Sequence, residues 1–201
     1  TLQNPNKIPF VLDMYASGKY GPTENFNNDI GPIISKDAFS KLKDYIEVAS
    51  IDGKNVIQPH DYIDNIYIPP TIIEIESLSE LESEQFGPIL HIMKFKAGNI
   101  QGVVEEINKL NYGLTLGVHT RVESRADEIA RTANVGNVYI NRDIVGAVVG
   151  VQPFGGEGLS GTGCKAGGPN YLSQFVNEQV VSKNIVAFGG NTELLNLQNK
   201  E

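Results

Sequence analysis

The spacing of apolar positions changes from segment to segment along this 201-residue chain, and the spacing predicts its elements. No period is sustained in residues 1–29, which are therefore predicted to be irregular. After Ser35, a plausible N-cap, apolar residues recur at three- and four-residue intervals and predict an amphipathic helix. Residues 66–75 are β-branched around a proline pair, which favours two short strands or one bent edge strand. The apolar face of the helix consists of Phe39, Leu42, Ile46 and Ala49.

From residue 89 the pattern becomes regular. Strands are predicted over residues 89–95, 113–120 and 135–141, and helices over residues 100–110 and 123–133. Strand and helix alternate with short joins, which implies right-handed crossovers and a doubly wound, mostly parallel sheet. The predicted fold class is therefore α/β, in which ligands bind beyond the carboxyl ends of the strands.

The last apolar run follows a short helix predicted around residues 171–176. Residues 179–187 are predicted to be an extended strand with no sequential neighbour to pair with. An unpaired strand edge presents backbone groups that readily pair with another chain. We therefore expect residues 177–201 to be an oligomerisation strand and tail, in which residues 179–187 contact a second copy or an amino-terminal half of the protein.

Composition narrows the class of protein. Hydrophobic residues make up 40% of the chain, which is enough for a core. With 16 basic and 24 acidic residues the net charge is −8, and no basic stripe indicates nucleic acid as a partner. The longest apolar run, residues 144–151, is far shorter than the roughly 20 residues of a membrane span. One cysteine and no visible signal peptide favour a cytoplasmic location, or the mitochondrial matrix in a eukaryote.

Nine of the 21 glycines fall within residues 145–168. This density disfavours a helix or a regular strand, because each interior glycine costs about 1 kcal/mol relative to alanine. Glycines instead expose backbone N–H groups and let a ligand approach the main chain. Phe154 is the only aromatic residue in the segment, which follows the third predicted strand directly. The segment is predicted to form the wall of a small-molecule site; a flexible linker is the alternative, although a linker would be more polar.

The turn at residues 84–88, Glu-Gln-Phe-Gly-Pro, is a second candidate site. The Glu84 carboxylate can accept two hydrogen bonds from a ribose diol, and the Phe86 ring can pack against a planar ring. A solvated glutamate in a helix-to-strand turn explains the same spacing equally well. The turn alone therefore leaves both interpretations open.

Metal ligands and a nucleophile are not predicted. Three scattered histidines and one cysteine show no ligand spacing. Cys164 has no histidine near it in sequence, and its neighbour Lys165 points away from it in an extended loop. A catalytic thiolate needs such a partner to lower its pKa. No catalytic residue is therefore assigned.

Four segments in one order resemble the carboxy-terminal part of the aldehyde dehydrogenase superfamily. They are residues 84–88, 111–120, 136–141 and 153–161. Three further segments resemble 1-pyrroline-5-carboxylate dehydrogenases, in particular the dehydrogenase module of bifunctional proline utilization A-type proteins: residues 145–154, 165–169 and 189–195. The resemblance covers roughly residues 30–195.

The resemblance implies NAD-dependent oxidation of glutamate semialdehyde to glutamate, a step of proline catabolism. It implies that Glu84 binds the nicotinamide ribose beside Phe86. It further implies that the backbone N–H groups of Gly146 and Ala147 hold the substrate carboxylate, and that Phe154 flanks the aliphatic part of the substrate.

The resemblance also implies what this chain lacks. The family's nucleophilic cysteine lies in a Gly-Gln-x-Cys context that does not occur here, and its general-base glutamate, oxyanion-hole asparagine and Rossmann half have no counterpart. Residues 30–176 are therefore expected to be a partial catalytic domain without activity of its own. Two alternatives stay open: a non-catalytic assembly or substrate-binding module from a split or decayed gene, and a fragment of another aldehyde dehydrogenase.

Overall fold

The computed structural model describes residues 13–15, 17–62, 64, 66–148, 150–161, 163–184 and 187. Its helices are α1 (Lys36–Ile51), α2 (Ile100–Leu110) and α3 (Glu123–Thr132), with 3-10 turns at Leu78–Glu80 and Leu172–Phe175. Its strands are β1 (Val56–Ile57), β2 (Thr71–Ile75), β3 (Ile89–Met93), β4 (Tyr112–Gly113), β5 (Thr115–Val118), β6 (Asn137–Ile140) and β7 (Glu157–Gly158).

Helix α1 begins and packs as its sequence predicts. The Ser35 hydroxyl accepts a hydrogen bond from the Ala38 N–H at 3.1 Å, which satisfies one of the free donors of the first turn. All four apolar positions of the predicted face are buried. Three of them form a core cluster with Ile68. The predicted helix is confirmed.

Strand β2 lies in the centre of its sheet. It pairs with β1 in antiparallel and with β3 in parallel orientation. The side chains of Thr71, Ile72 and Ile73 are no more than 1% exposed. The prediction of a bent edge strand was therefore wrong. Pro69 and Pro70 precede the strand instead of interrupting it, so their missing N–H groups lie outside the hydrogen-bonded ladder.

The predicted strand–helix alternation after residue 89 is present. Strand β5 pairs in parallel with β6, and the register runs from Thr115 opposite Asn137 to Val118 opposite Ile140. Helices α2 and α3 cover this pair through a buried cluster that consists of Val104, Val118, Ala126 and Ile129. Val138 of β6 packs against this cluster, so both helices support the strand.

One continuous doubly wound sheet is not formed by the described residues. Their strands make three separate ladders: β1–β2–β3, β4–β7 and β5–β6. Helix α2 and the short strand β4 connect β3 to β5 along the chain. Strand β3 nevertheless pairs with β2 and not with β5. A cleft of about 1500 Å³ borders α2, β5 and the start of α3. The mixed α/β content and the parallel pairing agree with the prediction, and the single sheet does not.

The end of the chain has no sheet partner within the described residues. Residues 176–184 are neither helix nor strand and are exposed. Val180 and Val181 are 84% and 66% exposed. Ile185, Val186 and residues 188–201 lie outside the described residues. The strand expected over residues 179–187 stays a prediction.

A half-buried polar pair links α1 to β3. The Tyr45 hydroxyl and His91 Nε2 are hydrogen-bonded at 2.8 Å, and their rings meet edge to face. Burial lowers the pKa of His91, and the nearby Lys54 ammonium lowers the pKa further. The folded protein therefore favours the neutral imidazole.

We expect the protein to lose stability as the pH falls below about 6.5, because the unfolded chain then protonates at His91 more readily than the folded chain. His91→Gln should lose less stability over the same range. Urea midpoints at pH 8 and pH 5.5 measure this effect, with the exposed His119→Gln as the matched control. An H91Q variant with the pH dependence of the unmodified protein would contradict the expectation.

Candidate substrate and cofactor site

One face of β6 holds the start of the glycine-rich segment. The Tyr139 ring is buried, and its hydroxyl donates to the Gly146 carbonyl oxygen at 2.7 Å. Just past the strand, Asn141 has a φ of 55°, and its side-chain amide bonds both the N–H and the C=O of Thr120 at 2.9 Å. The chain therefore leaves the sheet in a fixed direction.

Gly146 and Ala147 lie where the segment turns away from β6. The preceding amide donates to the Asp143 carboxylate at 3.3 Å, and the following amide donates to the side-chain oxygen of Gln152 at 3.0 Å. Among the described residues, no acceptor meets the N–H groups of Gly146 and Ala147 themselves. A Cβ on Gly146 would meet no atom within 4 Å. Two consecutive free amides beside open space can bind an anion.

Phe154 lies further along the same glycine-rich segment, in a part that β6 also holds. The Asn137 side chain donates to the Pro153 carbonyl at 3.0 Å and accepts from the Gly155 N–H at 3.2 Å. The Phe154 backbone exchanges two hydrogen bonds with Ala166, at 3.1 and 2.8 Å. The Phe154 backbone is therefore held on both sides, and its side chain is half-buried.

The three expected substrate residues lie in two parts of the glycine-rich segment, and β6 contacts both parts. Asn137 and Tyr139 are two residues apart on β6, so their side chains point to the same side, about 6.6–6.8 Å apart along the strand. The Tyr139 side chain holds Gly146, and the Asn137 side chain holds the residues on either side of Phe154. Sequence reasoning missed both anchoring side chains. Their signal is the alternation of Asn137, Tyr139 and Asn141 beside a glycine-rich segment.

The Glu84 turn lies on a different part of the molecule. It follows the 3-10 turn Leu78–Glu80 and leads into β3, and the Phe86 ring is 82% exposed. Glu84 is exposed and borders a cleft of about 290 Å³ together with His91 and Tyr112. Tyr112 pairs with Gly158, which connects this cleft to the glycine-rich segment. Among the described residues, Glu84 itself makes no recorded contact with that segment.

Cys164 lies outside both groups of site residues. Its half-buried sulfur accepts a hydrogen bond from the Gln174 side-chain amide. The adjacent Lys165 ammonium pairs with the Glu157 carboxylate at 2.9 Å. The neighbouring cation is thus paired with another residue of the same segment.

The described residues contain no cluster of three or more His, Cys, Asp or Glu side chains arranged to hold a metal ion. None of their helices has the length and apolarity that a bilayer crossing requires.

Comparison with known proteins identifies the family. The pattern of the aldehyde dehydrogenase family matches residues 9–181 of this chain. The chain belongs to the aldehyde dehydrogenase family. It is 43% identical over 169 residues to the bifunctional protein PutA of Klebsiella aerogenes, a match that covers 80% of this chain and 13% of PutA. It is 39% identical over 166 residues to the 1-pyrroline-5-carboxylate dehydrogenase of Staphylococcus saprophyticus, covering 81% of this chain and 32% of that enzyme.

A solved aldehyde dehydrogenase structure shows the same fold. The 1-pyrroline-5-carboxylate dehydrogenase from Thermus with bound NAD superposes with a TM-score of 0.75 at 34% identity. The match covers 84% of this chain and 33% of the Thermus chain. The chain therefore spans only part of the length of the aldehyde dehydrogenases that it matches.

Gly136 packs closely against the backbone beside Phe154, and this packing can be tested. A Cβ on Gly136 would lie 1.7 Å from the Gly155 carbonyl oxygen. Because that oxygen belongs to the backbone, Gly136→Ala should lower the free energy of unfolding by about 1–3 kcal/mol. Urea unfolding measures the change. Gly98→Ala is the matched control, since a Cβ there meets nothing within 4 Å. Equal unfolding of the two variants would argue against the close packing.

Proposed function

We propose that this chain supplies the substrate wall and one cofactor contact of an NAD-dependent 1-pyrroline-5-carboxylate dehydrogenase, which oxidises glutamate semialdehyde to glutamate in proline catabolism. The observation that carries the proposal is the pair of free N–H groups on Gly146 and Ala147, in a segment that side chains of β6 hold at Gly146 and on both sides of Phe154. The similarity to PutA and to 1-pyrroline-5-carboxylate dehydrogenases supports the same substrate.

In this proposal the Gly146 and Ala147 amides donate to the carboxylate of the substrate. Hydrogen bonds to an ionised acceptor are stronger than those between neutral groups, so two amides can hold the anion without a cation. The Phe154 ring packs against the aliphatic carbons between the carboxylate and the aldehyde. This packing excludes water from the substrate and directs the aldehyde away from the anchor.

The residues at the Glu84 turn fit NAD. The exposed Glu84 carboxylate is free to accept hydrogen bonds from both hydroxyls of the nicotinamide ribose. Phe86, whose ring is 82% exposed, offers an apolar face to the planar nicotinamide. NAD, when bound in the complete protein, would accept the hydride from the substrate. The Thermus relative with bound NAD supports this cofactor.

The proposal assigns the reacting groups to other parts of the complete protein. In this view residues 30–176 are part of a catalytic domain, the nucleophilic thiolate lies outside the 201 residues, and Cys164 plays no part in the chemistry. Residues 179–187 then contact a second copy or another segment of the protein. We also propose that the complete protein is located in the cytoplasm.

A non-catalytic assembly module is the second candidate. The observation that favours it is the row of exposed apolar side chains near the end of the described residues: Leu172, Phe175, Val176, Val180 and Val181. Such a row marks a surface that another chain or segment covers. The activity measurement below separates the two candidates.

The test is NADH formation from glutamate semialdehyde and NAD, followed at 340 nm. The complete protein should be active, whereas the isolated 201-residue chain should form no NADH because no thiolate attacks the aldehyde. Cys164→Ser in the complete protein should keep activity within about a few-fold of the unmodified enzyme. An inactive complete protein favours the assembly module, and an active isolated chain would overturn the proposal.

Glu84→Gln should weaken NAD binding more than aldehyde binding in the complete protein. The amide keeps one acceptor but loses the charge, and hydrogen bonds to charged groups contribute about 1.5–3 kcal/mol. Steady-state kinetics with NAD and aldehyde varied separately measure the two effects. Glu82→Gln, at an exposed position two residues earlier, is the matched control. If the rates of E84Q and E82Q depend equally on the NAD concentration, Glu84 is a solvated turn residue and does not bind the cofactor.

A further inference from the structure

The Tyr139 hydroxyl has one recorded partner among the described residues, the Gly146 carbonyl oxygen at 2.7 Å. The Tyr139 side chain is 6% exposed, whereas Gly146 lies at the surface. A carbonyl at an exposed position does not need a buried tyrosine, since water satisfies it equally well. The hydrogen bond provides the hydroxyl of a buried tyrosine with an acceptor, and it also fixes the orientation of the Gly146 carbonyl.

This orientation determines where the next amide points. The peptide unit between Gly146 and Ala147 is planar and trans, so its C=O and N–H point in opposite directions. Because the carbonyl oxygen points to the Tyr139 hydroxyl, the Ala147 N–H points away from β6. It points to the side on which the substrate carboxylate is proposed to bind.

Gly146 is the residue at which this orientation would otherwise be lost. Its φ is 62°, and nothing lies within 4 Å of the position of a Cβ. Glycine populates positive and negative φ about equally, so a peptide unit beside it turns over at little cost. The Tyr139 hydroxyl removes this freedom.

The Tyr139 ring itself is held independently of its hydroxyl. The Arg142 guanidinium lies 4.7 Å from the ring centroid, a cation–π contact. In the adjacent strand Gly117 is the register partner of Tyr139, and a Cβ there would lie 2.5 Å from Ile144 Cγ2. Ile144 thus packs over β5 where a side chain is missing. Removal of the hydroxyl should leave the ring and the first part of the loop in place.

We propose that Tyr139 is a positioning residue that gives the site its preference for aldehydes bearing a carboxylate, by directing the Ala147 N–H toward that carboxylate. The inference rests on the proposed function and extends it to a side chain that does not touch the substrate. Its effect is on recognition of the carboxylate and not on the reaction at the aldehyde.

The experiment is Tyr139→Phe in the complete protein, assayed with glutamate semialdehyde and with pentanal, which has the same number of carbons and no carboxylate. The KM for glutamate semialdehyde should rise about threefold to tenfold, the effect of losing one hydrogen bond, while kcat stays within about twofold. The kcat/KM for pentanal should not change. Because both aldehydes report on the same folded molecules, any loss of folded protein cancels in the ratio of the two values.

Tyr20→Phe is the matched control, since it also deletes one hydroxyl-to-carbonyl hydrogen bond, from Tyr20 to Asp61 at 2.6 Å. It should leave the ratio unchanged. Calorimetry with glutamate gives a second measurement, in which Y139F raises the Kd for glutamate and leaves the Kd for NAD unchanged. An unaltered ratio, or an equal loss with both aldehydes, overturns the role of Tyr139. A complete protein that shows no preference for glutamate semialdehyde overturns the proposed function as well.

Discussion

The candidate site depends on the hydrogen bonds that side chains on one side of β6 make to the glycine-rich segment. A glycine-rich segment buries little apolar surface, and glycine loses more backbone entropy on ordering than any other residue. Packing therefore contributes little to its position. The Asn137 amide and the Tyr139 hydroxyl act in place of a core, and each fixes one part of the segment to a strand that two helices support.

This arrangement separates the stability of the fold from the shape of the site. The buried clusters around α1, β2 and α3 contain ordinary aliphatic and aromatic side chains and none of the candidate site residues. Gly146, Ala147 and Phe154 contribute backbone groups and one ring at the surface of that framework. Substitutions at the site should therefore change binding with modest effects on folding, except where the backbone itself is tightly packed, as at Gly136.

The sequence predicted the elements whose cause is local. Helix α1 could be predicted to its cap because Ser35 and the buried face lie within one continuous segment. The central position of β2 could not, because it depends on β3, a partner 18 residues away that local spacing does not reveal. The glycine-rich segment was predicted as a wall from its composition. Asn137 and Tyr139 were missed, since a polar residue in a strand normally indicates a side facing solvent.

The proposed carboxylate anchor is made of main-chain amides, and this would have a genetic consequence. Every residue except proline carries an N–H, so replacing Ala147 by another residue retains the donor itself. Only a substitution by proline removes the donor, whereas almost any substitution would remove the charge of an arginine that held the anion. Inherited changes in substrate preference would then act through the backbone conformation of the glycine-rich segment. They would arise at residues that set this conformation, including residues in β6 that do not contact the ligand.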